Sequence, residues 1–243
     1  MPRSRVSLTE PAPELSASSP AEAAAEMART GRLVVLLPPG AITLDSLIRL
    51  AANCRLHAAK LAEAVVDLPR IAGRAGAAGI ASSYTLLGSK YALAPGGALT
   101  PRSVYSTVRE ALPPAEVAAS ATPPAIVAPN ATLKGALRRM LERGSICAFV
   151  VRAGRLKGVV DAWTALLAAV EEGERGLDAP CGERAKREPV VGSYAEVAEA
   201  LCKYGFAAMA AGGAAAVMVD DVSLHRSLLA ARGRWLRSLG GRR

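Results

Sequence analysis

One pattern occurs twice in the second half of the chain, and this repeat limits the fold more than any other sequence feature. Thr132 precedes an amphipathic stripe that ends at Gly144. Ser193 precedes a second stripe with the same apolar spacing, which ends at Gly205. Ser and Thr are favoured at helix N-caps and Gly just past helix ends, so each copy predicts one helix.

The segments around the two helices also match. In each copy a short apolar segment precedes the helix, and two apolar runs separated by a turn follow it. These segments are Ala125–Val127, Ile146–Val151 and Leu156–Val160 in the first copy, and Pro189–Val191, Phe206–Ala211 and Ala214–Val219 in the second. Each second run leads into an aspartate and a further helix, Asp161 or Asp220. Each copy therefore predicts a β-α-β-β-α unit, and the fold class is α/β.

Such a unit buries little surface alone, so two copies are expected to share a core and to leave equivalent ligand clefts between them. The runs Asn130–Gly144, Ala148–Val151 and Gly158–Leu167 resemble a cystathionine-β-synthase (CBS) domain, and Arg187–Leu228 resembles its partner. We divide the pair into residues 125–180 and 181–230. The resemblance implies a regulatory pair that binds adenosyl ligands, such as adenine nucleotides, and forms a homodimer through its helices.

The resemblance also indicates site residues. In nucleotide-binding members the second strand ends in Gly-apolar-apolar-Thr/Ser-x-x-Asp, with the hydroxyl near phosphate and the Asp on the ribose. Here Asp161 and Asp220 stand at the hydroxyl position, and Thr164 and Ser223 stand at the carboxylate position. The alternative is that these residues only cap helices, since Asp is as good an N-cap as Thr.

A carboxylate that faces a phosphate repels it. We therefore hypothesise that a ligand between these two units has few phosphates or none, or that a cation bridges. Calorimetry with ATP, AMP and S-adenosylmethionine tests this, and tight ATP binding without a divalent ion would contradict it. Four apolar residues are expected to line the cleft: Val127, Ile146, Val191 and Ala207.

The first half of the chain is interpreted as a disordered segment (1–18), an effector domain (19–112) and a Pro-rich linker (113–124). One interpretation of the effector is a winged helix. Its positioning helix would be Leu56–Val66, its recognition helix Pro69–Gly79 and its wing Tyr84–Leu93. Arg70, Arg74 and Lys90 would then reach DNA, so nucleic acid is a candidate partner.

Two alternatives stay open. The order of segments from the Leu33 strand to Arg109 also resembles part of dihydroxybutanone-phosphate synthase. That family's acidic catalytic loop is replaced here by Pro38-Pro39-Gly40, so a related copy would be catalytically inactive. The other alternative is a CBS pair that regulates an enzyme or transporter in trans without DNA. No catalytic motif is found, and we do not expect an enzyme.

Charge and cysteine content narrow the setting. The formal net charge is +9, and residues 231–243 hold five Arg and no acidic residue. We interpret them as a basic, solubilising tail. The four cysteines do not form a CxxC motif, and the chain has only two histidines. A metal site is therefore not expected, because cysteine pairs and histidines are the usual zinc ligands. Reduced cysteines and the lack of a long apolar run predict a cytoplasmic protein that does not enter a membrane.

Overall fold

The computed structural model describes residues 9–10, 12–71, 77–119, 125–187, 190–191, 193, 196–197, 199–201, 206–211 and 214–240. The helices are α1 (Pro20–Thr30), α2 (Leu44–Ala52), α3 (Ala77–Leu87), α4 (Pro101–Val108), α5 (Pro114–Ala119), α6 (Leu133–Arg143), α7 (Ala162–Glu172), α8 (Glu174–Asp178), α9 (Cys181–Arg184), α10 (Asp221–Ala230) and α11 (Arg232–Gly240). The strands are β1 (Val34–Leu37), β2 (Gly40–Thr43), β3 (Val65–Val66), β4 (Ala92–Ala94), β5 (Gly97–Leu99), β6 (Ala125–Val127), β7 (Cys147–Arg152), β8 (Arg155–Asp161), β9 (Val190–Val191), β10 (Ala207–Ala211) and β11 (Ala214–Val219). The predicted α/β class is confirmed.

The β-α-β-β-α order occurs four times, not twice; in the last copy the described helical residues between β9 and β10 are 196–197 and 199–201. We call the repeats unit 1 (residues 13–52), unit 2 (69–108), unit 3 (125–172) and unit 4 (190–230). Each has an antiparallel hairpin, β1–β2, β4–β5, β7–β8 or β10–β11. A capping residue begins the helix after each hairpin: Thr43, Thr100, Asp161 and Asp220. In units 1 to 3 the helix before the hairpin is followed by a glycine at positive φ: Gly31, Gly88 and Gly144.

The first strand of each unit pairs in parallel with the first strand of the hairpin. In units 3 and 4 it is β6 or β9, paired with β7 or β10. In unit 1 it is reduced to the bridge Glu14↔Leu36, and in unit 2 to Arg70↔Leu93. The Leu36 amide donates to the Pro13 carbonyl at 3.0 Å, and the Leu93 amide donates to the Pro69 carbonyl at 2.8 Å. Units 1 and 2 are therefore shorter versions of units 3 and 4.

This architecture replaces the winged-helix interpretation. The predicted positioning helix is a set of turns that ends in the short 3-10 helix Leu61–Ala64 and in β3. The predicted wing begins inside α3, which continues to Leu87. Residues 72–76 of the predicted recognition helix lie outside the described residues. The physical reason is that Val65–Val66 pair with β2 as a third strand, so this segment cannot be helical.

Two segments predicted to be irregular are ordered parts of the core. The linker prediction is wrong for α5, which packs against α10 and β11. The predicted disorder is wrong for Glu10 and Glu14, which both form backbone bridges to units 2 and 1. The α5 segment is held by its buried Val117, and the Glu10–Glu14 segment is held by its backbone bridges.

The predicted basic tail also has a structural role. Most of it is α11, which packs on α3 and α4. Trp235 is fully buried, and its indole N–H donates to the Leu228 carbonyl at 2.8 Å. Arg234 forms a bidentate ion pair with Glu116 of α5. The arginines of this helix lie around a buried anchor, so the segment is not a frayed end.

Helices join the units in pairs that are not consecutive in the chain. Helices α1 and α2 of unit 1 pack on α7 and α6 of unit 3. Helix α4 of unit 2 packs on α10 of unit 4, and each pair of units shares one hydrophobic core. Helices α6 and α7 are thus covered in part by helices of the same chain, and the homodimer through the helices of the pair stays a prediction.

Linking segments join the remaining pairs through backbone bonds. Glu10, which precedes unit 1, pairs with Ala98 of unit 2. Val66, which precedes unit 2, pairs with Ala41 of unit 1. Lys186, which precedes unit 4, pairs with Val159 of unit 3. Each of these segments therefore completes the sheet of its neighbour before it continues into its own unit.

The linking segments explain why a glycine recurs at the same position of units 1, 2 and 3. Gly40, Gly97 and Gly158 each lie three residues before a helix cap. A Cβ on Gly40 would lie 2.6 Å from the Val66 carbonyl oxygen, and one on Gly158 would lie 2.7 Å from the Lys186 carbonyl oxygen. A side chain does not fit there, because the backbone of the linking segment that pairs with the sheet lies too close.

A buried histidine between units 2 and 4 predicts a pH-dependent stability. His225 lies in α10, its ring 5.9 Å from that of Tyr84, and its Nε2 is buried without a hydrogen-bond partner. Burial lowers the His225 pKa below its ordinary value of 6.5, and the charge of Lys90 lowers it further. The unfolded state therefore takes up a proton that the folded state resists, and stability falls as the pH falls below about 6.5. His225→Gln should flatten this loss in urea titrations between pH 7.5 and 5.5.

A non-titrating residue of the same helix supplies the control. Ser227→Ala should keep the wild-type slope, because the Ser227 hydroxyl, which donates to the Ser223 carbonyl at 2.8 Å, does not change its charge in this pH range. Equal slopes for wild type and His225→Gln would contradict the assignment.

Candidate functional site

The two aspartates that were predicted to bind ligand are helix N-caps. The equivalent residues of units 1 and 2, Thr43 and Thr100, are N-caps too. The Ser46 amide donates to Thr43 Oγ1 and the Thr43 amide donates to Ser46 Oγ, both at 3.2 Å. The Thr100 amide donates to Ser103 Oγ at 3.0 Å, and the reciprocal bond measures 3.1 Å. All four side chains are buried, so their hydroxyls serve the helices and do not face solvent.

In unit 3 the cap is more open. Asp161 Oδ1 accepts a hydrogen bond from the Thr164 amide at 2.7 Å, and its Oδ2 lies 3.6 Å from Lys186 Nζ. The Asp161 side chain keeps 15% of its surface exposed. Thr164 Oγ1 is buried and has no hydrogen-bond partner. A ligand that entered here would meet a carboxylate already paired with a lysine.

In unit 4 the cap is closed. Asp220 Oδ1 accepts from the amides of Val222 and Ser223, both at 3.1 Å, and from Ser223 Oγ at 3.2 Å. Asp220 and Ser223 are fully buried. The structure thus shows the capping role for both aspartates, and a ligand role for them stays a prediction.

The four apolar residues expected to line the same cleft are packed in cores. Val127 and Ile146 belong to the core shared by units 1 and 3, and Val191 and Ala207 to the core shared by units 2 and 4. Each exposes less than a tenth of its surface. Their apolar character is accounted for by packing between units.

The residues predicted to contact DNA lie in different surroundings. Lys90 Nζ lies 3.0 Å from both carboxylate oxygens of Asp45, with only 17% of its side chain exposed. It ties unit 2 to unit 1 and is not at a wing tip. Arg70 donates to the Pro39 carbonyl at 3.1 Å, and Arg74 lies outside the described residues.

A cavity of about 600 Å³ lies between units 1 and 2. Its walls are the first-strand segments, the two hairpins and Arg32: Ala12, Pro13, Glu14, Arg32, Leu36, Pro38, Gly40, Arg70, Leu93, Ala94, Gly96 and Gly97. Clefts of about 300–1,000 Å³ with apolar walls and a few polar groups are typical ligand sites. Arg32 and Arg70 supply guanidinium donors for a phosphate or carboxylate, and the leucines supply an apolar wall.

Matched positions of the two units face this cavity. Leu36 and Leu93 occupy the same place in their hairpins, five residues after a helix-ending glycine. Gly40 and Gly97 are likewise equivalent, and so are the bridge partners Glu14 and Arg70. The cleft therefore lies where an approximate twofold relation between units 1 and 2 brings equivalent residues together.

The sequence carried a sign of this site that the repeat in the second half obscured. The runs Gly40-Ala-Ile-Thr43 and Gly97-Ala-Leu-Thr100 both read Gly-apolar-apolar-Thr, the beginning of the pattern sought near Asp161. They lie 57 residues apart, close to the 59 residues between Asp161 and Asp220. The same pattern therefore marks units 1 and 2 in the sequence.

Among the described residues, no three His, Cys, Asp or Glu side chains come together as a metal ion would require. No described helix has both the length and the apolar character needed to cross a bilayer.

Comparison with known proteins identifies part of the chain. Residues 115–171 match the model of the CBS domain, which covers unit 3 and α5. No curated protein matches the chain. The solved structures include a Methanocaldococcus jannaschii protein described as an archaeal homologue of g-AMPK, with 12% identity and a TM-score of 0.69. That similarity covers 90% of this chain and 97% of the other.

A second structural relative is an uncharacterised conserved protein from Pyrococcus horikoshii. It has 20% identity and a TM-score of 0.52, over 78% of this chain and 85% of its own. At these identities the similarity shows the fold alone. The first match extends over nearly all of both chains, so the shared fold includes units 1 and 2 as well as the CBS match at residues 115–171.

Proposed function

We propose that this chain, with its CBS domain at residues 115–171, is a regulatory protein that binds an adenosyl ligand in the cleft between units 1 and 2. The observation that carries the proposal is the cavity of about 600 Å³ in which Arg32 and Arg70 face apolar walls. CBS domains are typically adenosyl-sensing modules. The description of the M. jannaschii protein as a g-AMPK homologue supports an adenosyl ligand.

The cleft offers two kinds of contact. An arginine presents planar, paired N–H donors that match a phosphate or carboxylate. Leu36 and Leu93 provide an apolar surface that suits a base. Between units 3 and 4, Asp220 is buried and Asp161 is paired with Lys186, so the hypothesis of a ligand with few phosphates there stays a prediction.

The ligand is bound and not converted in this proposal. The described lining includes no Ser, Thr, Cys, His or Lys that would act as nucleophile or proton shuttle. Its titratable groups are Glu14 and two arginines, and arginine does not exchange protons at neutral pH. This composition supports a binding function over catalysis.

The output is proposed to reach a partner enzyme or transporter in trans. The segment interpreted as a DNA-binding domain consists of two further units, and Lys90 is paired with Asp45. Both walls of the cleft belong to units whose helices pack on units 3 and 4. A ligand that changes the distance between the hairpins would therefore also act on the packing of the whole chain.

Calorimetric titration with AMP, ATP and S-adenosylmethionine tests the proposal. We expect saturable binding of at least one of them, and Arg70→Gln should weaken it about tenfold through the loss of a charge-assisted hydrogen bond. Arg139→Gln is the control, because Arg139 lies on α6 in an exposed pair with Glu142 at 2.9 Å. Absence of binding by all three ligands, or equal weakening by both variants, would refute the proposal.

A further inference from the structure

Two equivalent positions on the two sides of the unit 1–unit 2 cleft carry opposite charges. Glu14 and Arg70 occupy equivalent positions, each as the first-strand partner of a hairpin leucine, and both line the cavity. The approximate twofold relation therefore places a carboxylate on one side where the other side has a guanidinium. Arg32 adds a second positive charge to the lining.

The Glu14 carboxylate is not used by the fold. It is exposed, and the ion pairs of the described residues do not include it. Its backbone makes the bridge to Leu36, so the side chain is free to vary without loss of that strand. Three charges share one cavity here, and this carboxylate is not neutralised by either arginine.

The same position in unit 3 shows that the fold does not require a charge. Ile126 is the first-strand partner of Phe149, which lies five residues after Gly144, as Leu36 lies five residues after Gly31. Ile126 is 53% exposed. This outward position holds Ile, Glu or Arg in the three units. The residue type there therefore depends on what the side chain faces and not on packing.

We infer that Glu14 is a specificity residue, and that the cleft selects a zwitterionic adenosyl ligand, one that carries a cationic group together with its anion. The inference rests on the proposed function. Arg70 and Arg32 would take the carboxylate of such a ligand, and Glu14 would take its ammonium or sulfonium group. A purely anionic nucleotide would gain the arginines but meet repulsion from Glu14.

The test compares S-adenosylmethionine with AMP by calorimetry on wild type and Glu14→Gln. Wild type is expected to bind S-adenosylmethionine more tightly than AMP. Glu14→Gln should weaken the binding of S-adenosylmethionine about tenfold, as expected for the loss of one charged partner. The same substitution should leave the affinity for AMP unchanged or increase it. S-adenosylhomocysteine, which lacks the sulfonium charge but keeps the amino acid group, should show the same loss if Glu14 binds the ammonium.

Ile126→Thr is the matched control, since it changes the equivalent position outside this cavity. It should leave both affinities unchanged. Tighter AMP than S-adenosylmethionine in wild type, or an equal effect of Glu14→Gln on both ligands, would overturn the inference while the proposed function stands. If no adenosyl ligand binds, the proposed function and the inference both fail.

Discussion

Replacement of Trp235 by alanine should lower the free energy of unfolding by about 3–5 kcal/mol, the range found for large aromatic residues removed from cores. Trp235 is fully buried in the core shared by units 2 and 4. The substitution leaves a cavity and also removes the bond of the indole N–H to the Leu228 carbonyl. Denaturant titrations followed by circular dichroism provide the measurement.

The control lies two residues further along α11. Arg237 is exposed, so Arg237→Ala should change stability by less than about 0.5 kcal/mol. If Trp235→Ala were no more destabilising than Arg237→Ala, α11 would be a dispensable tail, as the sequence alone suggested.

A valine at position 158 should destabilise the protein by about 2–3 kcal/mol, the upper part of the range for overpacked sites. A Cβ there would lie 2.7 Å from the Lys186 carbonyl oxygen and 3.1 Å from Ala185 Cβ. The larger side chain must displace the linking segment and break the Val159–Lys186 bonds, which measure 2.7 and 2.9 Å. Denaturant titrations again give the free energy.

Gly135→Ala is the matched glycine substitution. Gly135 lies inside α6, and a Cβ there approaches no atom closer than 3.4 Å, that of Thr132 Oγ1. Alanine should stabilise this helix by about 0.5–1 kcal/mol. A Gly158→Val protein as stable as wild type would show that the linking segment does not occupy this place.

Apolar runs in the sequence reveal units 3 and 4, whereas units 1 and 2 are marked by the Gly-apolar-apolar-Thr pattern at Gly40 and Gly97. Hairpin strands of six and seven residues, as in β7 and β8, give apolar runs long enough to be recognised. The strands β4 and β5 have three residues each, and the first strands of units 1 and 2 are single bridges. Such short pairings depend on neighbouring units for their stability, so apolar runs do not reveal them.

The candidate site also has one part that could be predicted from the sequence and one part that could not. The caps at Asp161 and Asp220 could be predicted, because capping depends on residues three positions apart. The cavity could not, because it joins Glu14 and Arg70, which are 56 residues apart in sequence. Only the repeat relation between units 1 and 2 shows that these residues occupy equivalent places.

The order of pairing has a consequence for synthesis on the ribosome. The strand partner of Glu10 is Ala98, and helices α1 and α2 find their packing partners only in α6 and α7. At about 5–20 residues per second, the nascent chain exposes the apolar faces of unit 1 for several seconds before residue 172 is made. Unit 1 therefore cannot finish folding alone, and we expect its early chains to be clients of ribosome-associated chaperones.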